Sequence, residues 1–168
     1  MTAMRSTQAP AGFPGAISNF TNALFGWVPR SLTMLALRFA LAAPFWYSGL
    51  TKWDGFFNLS FGARQLFAND FKLHIFGAEI PYPMPELFAT LSGVGEVAFP
   101  VLLVLGVGTR YAALALLGMT AIIQLTVPDG WANFHLPWAA MALAIVTFGP
   151  GKIALDYVLG LDRPARAA

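Results

Sequence analysis

Residues 91–105 read LSGVGEVAFPVLLVL, an apolar run that holds a single carboxylate, Glu96. Between residues 84 and 107 the only charges are Glu86 and Glu96, and residues 111–128 and 136–150 carry none. An uncharged stretch of about 18 residues reads as a membrane-crossing helix, because about 20 residues, each rising roughly 1.5 Å, traverse the hydrocarbon. The composition agrees: 57% of the 168 residues are hydrophobic and 11% charged, against about 25% charged in soluble domains. The sequence therefore predicts an all-α integral membrane protein with one membrane domain.

Four spans are expected: 31–50, with Arg38 inside; 86–106, with Glu96; 111–127, with Gln124; and 131–148, with His135 near its start. The apolar part of the last span is short, and Trp131, Phe134 and Trp138 extend it as interface anchors. Pro137 suits its first turn. The short connections GVGTR (106–110) and PDGWAN (128–133) make spans two to four successive antiparallel neighbours. The expected fold is an antiparallel four-transmembrane-helix bundle with interfacial helices at the N-terminus and between spans one and two. Residues 1–30 form the first of these, with Phe13, Ile17, Phe20, Leu24 and Val28 on one face. In the second, Phe57, Phe61, Ala68, Phe71 and Ile75 recur at helical spacing, up to the breaker PYPMP at 81–85. The membrane domain runs over 31–160 and a tail over 161–168.

Arg5, Arg30, Arg110, Lys152, Arg163 and Arg166 collect on one side, and Lys52, Arg64 and Lys72 on the other. The excess of basic residues predicts that both termini are cytoplasmic. The first thirty residues lack the continuous apolar core of a cleavable leader. Cysteine is absent, which removes disulfide and thiolate chemistry. The small net charge of +2 gives no footprint for nucleic acid.

Counting from the cytoplasmic ends puts Arg38 roughly 10 Å, Glu96 roughly 15 Å and Gln124 roughly 20 Å into the bundle. A lone charge at such depth costs roughly 2.5–3.5 kcal/mol on insertion scales, so Arg38 is expected to face Glu96, with Gln124 assisting. Two readings of that pair stand: a clamp that fixes helix register, and part of a ligand or proton site. Lys52, His135 and Trp138 on the outer side would complete a polar and aromatic column suited to a quinone-type head group. Arg110 and Asp156 are candidate docking points for a partner protein. No metal site is expected: His74 and His135 are the only histidines, and Asp54, Asp70, Glu79 and Glu86 have no ligand spacing. Neither GVG segment reads as a phosphate loop, and Gly93 and Gly95 read as helix packing.

An arginine in the first span, SGLTKW at its end, GVGEVAFPVLLVLGVGTR, LLGMTAIIQL and FGPGKIALD together resemble the DoxX family over roughly residues 35–160. The positions that match its pattern are Arg38, Gly49, Lys52, Glu96, Arg110, Gln124, His135, Gly149, Gly151 and Asp156. The resemblance implies a multi-pass protein of the bacterial inner membrane. It further implies a membrane subunit of a redox or stress-response system, binding a quinone or serving a partner oxidoreductase or a system that handles metal-binding peptides. The chain is not expected to be a complete enzyme alone. The alternatives are a non-enzymatic anchor or assembly factor, and a small transporter or export partner working as a homo-oligomer or with another protein.

Overall fold

The computed structural model describes Thr21 and residues 26–162. The chain forms two compact units, Met1–Arg30 and Ser31–Ala168. The expected amphipathic helix of residues 1–30 lies almost wholly outside the described residues, as do residues 163–168 of the tail.

The second unit is mostly helical. Its elements are α1 (Arg30–Leu50), α2 (Phe61–Gln65), a hairpin of β1 (Lys72–Ile75) and β2 (Ala78–Pro81), α3 (Pro85–Leu105), α4 (Thr109–Thr126), α5 (Leu136–Phe148) and the single turn α6 (Leu155–Val158). A π-helical turn at Leu66–Asp70 prolongs α2, and another at Trp131–His135 leads into α5. Two helices of the described residues are long and apolar enough to cross a membrane: Pro85–Leu105, and the continuous run Pro128–Phe148. α1 has the length, 21 residues, but holds Arg30 and Arg38.

The main core joins the four long helices through Met34, Leu41 and Phe45 of α1, Leu103 of α3, Leu116 of α4 and Ile145 of α5. Its exterior is apolar as well. Phe39, Tyr47, Val101, Leu114 and Leu143 all lie on outward faces, while Arg38, Glu96, Thr120 and His135 are buried. Holding charged groups inside while large apolar side chains face outward is the arrangement of a protein solvated by lipid.

Between α1 and α3 the structure departs from the helix expected across Phe57–Ile75. Only Phe61–Gln65 is α-helical, and from Lys72 the chain forms the antiparallel hairpin. Phe71, Leu73 and Ile75 also obey a period of two, which the helical spacing hid. Phe76 and Gly77, both at positive φ, form a two-residue turn of the type that matches the twist of a hairpin. This segment has its own small core of Leu59, Ala63, Phe67, Tyr82 and Ala89, with Trp53 and Phe88 against it. The hairpin is tied to the end of α4 by a hydrogen bond between His74 Nδ1 and the Leu125 carbonyl, 3.1 Å.

Candidate functional site

The expected contact between Arg38 and Glu96 does not form. Arg38, 1% exposed, donates from Nε to the Leu103 carbonyl at 2.7 Å and from Nη2 to that of Val104. Its Nη1 donates to Pro150, 3.2 Å, and Ile153, 2.5 Å. These acceptors explain the choice. α3 stops at Gly106, whose left-handed backbone closes the last turn and whose N–H reaches the Leu102 carbonyl and, at 3.2 Å, that of Leu103, which leaves the Val104 carbonyl to be met from elsewhere. A guanidinium there satisfies it and lies at the negative end of the helix dipole. Seven residues separate Leu103 from Glu96, about 10 Å of helix, which puts the carboxylate a full level away.

Glu96 is instead held from just beyond the C-terminal end of α1. Lys52 Nζ lies 2.5 Å from Glu96 Oε2, with the two side chains 11% and 4% exposed. Ser92 donates to Oε1 at 2.8 Å, and Ser48 Oγ lies 3.1 Å from Lys52 Nζ. The approach depends on Gly49. A Cβ there would stand 2.9 Å from the Glu96 carbonyl carbon, so only glycine lets the two backbones touch at this level. Gly93 makes the same allowance for the Trp53 ring, at 2.8 Å.

This ion pair forms one wall of a cavity of about 380 Å³ between the C-terminal halves of α1 and α4 and the N-terminal half of α3. Phe45, Phe99, Met119, Ile123 and Trp138 supply apolar walls. Phe67, Phe71 and Tyr82 of the segment between α1 and α3 roof it. The Tyr82 hydroxyl and Thr126 Oγ1, 2.6 Å apart, fasten the roof to α4.

The other candidates fall into separate places. Trp138 lines the cavity, and His135 packs against it with 5.4 Å between ring centroids. His135 does not reach the cavity itself. Its Nδ1 lies 2.6 Å from Gln124 Oε1, which as an amide oxygen only accepts, so that nitrogen carries the proton. Gln124 Nε2 in turn donates to Pro128. Gly130 lies directly under the imidazole. Lys52, Glu96 and Trp138 thus converge on one space, Gln124 and His135 form a second tier behind Trp138, and Arg38 stands apart.

Arg110 and Asp156 are both engaged within the fold. Arg110 donates from Nε to Asp162 at 2.6 Å and from Nη1 to the Val146 and Thr147 carbonyls at the end of α5. Asp156 is buried and accepts from the Gly108 and Thr109 amides, each 2.8 Å, and from the Thr109 hydroxyl, 2.7 Å. It caps α4 from a distant part of the chain. Burial works to raise its pKa, but those three hydrogen bonds and the Arg38 charge outweigh it and hold the carboxyl below its usual range.

Ser48 and Ser92 are site residues that sequence reasoning passed over. Both stand four residues before the charge they serve, in Ser48-Gly49-Leu50-Thr51-Lys52 and Ser92-Gly93-Val94-Gly95-Glu96. The shared pattern of serine, glycine and a charge one helical turn on was the available signal. Among the described residues no group of His, Asp and Glu is placed to hold a metal ion.

The DoxX family model matches residues 33–129, which takes in Arg38, Lys52, Glu96, Arg110 and Gln124. The chain is also similar to an uncharacterized protein of Haemophilus influenzae, 28% identical over 152 residues that cover 83% of this chain and 91% of the relative. No solved structure matches.

Proposed function

This chain belongs to the DoxX family of membrane proteins, and from that premise we propose that it is a membrane subunit that binds a quinone-type ligand in the cavity beside Lys52 and Glu96. The observation that carries the reading is the cavity itself: about 380 Å³, apolar on most sides, with a largely covered ammonium, a buried carboxylate and two hydroxyls gathered on one wall. Largely apolar pockets with a few convergent polar groups are the usual form of a small-molecule site. In this reading α1, α3, α4 and the run through α5 are four antiparallel spans in the bacterial inner membrane, with both termini cytoplasmic.

Reduction of a quinone to a quinol takes two electrons and two protons. Lys52 donates a hydrogen bond to a quinone carbonyl, and Glu96, held by Ser92, passes two protons in turn to the reduced oxygens, each taken up from water. The electrons come from a partner oxidoreductase, because a chain without cysteine has no thiol or cluster ligands to carry them. A role in metal or oxidative stress belongs to that partner system.

The test is to purify the protein in mild detergent and identify co-extracted small molecules by mass spectrometry, for wild type and Glu96→Gln. A quinone retained by wild type and lost from the variant is the expected result. An empty bundle in both, equally stable, would leave the ion pair as a clamp between α1 and α3 and turn the assignment to a membrane anchor.

A further inference from the structure

We infer that the cavity opens sideways into the hydrocarbon between α3 and α4, and that its ligand is a membrane-dissolved amphiphile whose tail leaves through that opening. The inference rests on the ligand-site reading above and specifies its substrate class.

The exposure of the lining residues marks the opening. Leu91 of α3 and Ile122 of α4 both line the cavity, yet are 59% and 49% exposed on the outside of the bundle. Leu91 lies six residues inside the start of α3 and Ile122 four inside the end of α4. At about 1.5 Å per residue, that is some 9 Å and 6 Å in from the helix ends, within the reach of lipid chains. The other exposed lining residues, Ser48 and Val127, stand at the outer ends of α1 and α4, beside the roof.

The roof favours the lateral route. Phe67 and Tyr82 are buried in the small core above the cavity, and the Tyr82–Thr126 hydrogen bond closes that end. A polar solute passing Leu91 and Ile122 would shed its hydration against side chains that offer no hydrogen bond. An isoprenoid or acyl chain loses nothing there. The space is also small: about 380 Å³ stands near the lower limit of ligand pockets, about 300–1,000 Å³. It accepts a ring and the first part of a chain, and a longer tail must lie outside.

The first test uses protein in nanodiscs made from lipids brominated at mid-chain, with Trp27, Trp46, Trp53 and Trp131 replaced by Phe. Trp138, on the cavity wall, is then the sole tryptophan, and its emission is read under excitation that tyrosine does not absorb. Bromine quenches tryptophan on contact, so chains that enter the opening should quench it. Leu91→Phe with Ile122→Phe should abolish that quenching, and Leu91→Ala with Ile122→Ala should increase it. No quenching in the parent, or quenching that neither pair alters, overturns the opening. The second measurement keeps all the tryptophans and compares 2,3-dimethoxy-5-methyl-1,4-benzoquinone with its decaprenyl form. Filling the opening should slow binding of the tailed quinone and leave the affinity of the bare ring unchanged. Equal effects on the two overturn the tail exit. If neither quinone binds while the bromolipid result holds, the lateral opening stands and the quinone assignment fails.

Discussion

An ammonium only 11% exposed and a buried carboxylate, 2.5 Å apart, are each tolerable only because the other is present. Removing one partner of a buried pair costs about 3–5 kcal/mol, whereas replacing both with apolar groups of similar size is often neutral. Glu96→Ala should therefore lower the thermal unfolding temperature in detergent sharply, and Lys52→Met with Glu96→Leu should recover most of the loss. Ligand retention should stay absent in that double variant, which separates the pair's chemistry from its structural role. Arg38 gives the opposite signature. Arg38→Met strands the Val104 carbonyl, leaves Leu103 only the Gly106 N–H, and should cost about 1–3 kcal/mol for the acceptor left unpaired. A variant that still folds should retain ligand, because Arg38 does not line the cavity. Lys52, Glu96 and Trp138 were each legible in the sequence as members of one polar and aromatic column, with Glu96 read as deeper than the other two. Which cation meets Glu96 was not legible, because depth along a helix says nothing about which backbone carbonyls lie free beside it.

At the scale of elements, Gly49 sets the contact between α1 and α3. Gly49→Ala would press a methyl group to 2.9 Å from the Glu96 backbone, and overpacking of that kind costs about 1–3 kcal/mol. The same substitution should pull Lys52 away from Glu96, and lowered ligand retention alongside lowered stability would show it. The helix ends on the other side are fastened by residues from elsewhere: Arg38 at the end of α3, Arg110 at the end of α5, and Asp156 at the start of α4. Such caps join distant parts of the chain, so local sequence rules for helix ends do not find them. The hairpin escaped for another reason. Phe71 and Ile75 fit both a period of 3.6 and, with Leu73 between them, a period of two. Docking on the end of α4 and the Phe76–Gly77 turn select the second.

Across the whole molecule, the ionised caps make stability depend on pH in a definite direction. Asp156 has a lowered native pKa, so the unfolded chain binds its proton more readily than the folded one. Its stabilising contribution is full above the ordinary aspartate value of about 3.9 and is lost as pH falls through the lower native value. Asp156→Asn should destabilise the protein at neutral pH and flatten the acid limb of its unfolding profile; an acid limb identical to wild type would show that other carboxylates set it. The sequence by itself determined that this is a helical membrane protein of the DoxX family, because long uncharged runs have few alternatives to a helix in lipid. It also singled out the charges placed among those runs, since each is costly there and must have a partner. Only the tertiary structure decided the partners: Lys52 for Glu96, and the carbonyls at the end of α3 for Arg38. Those choices follow from which glycine lets two backbones touch and which helix end lacks donors, and both are settled by packing between segments far apart in the chain.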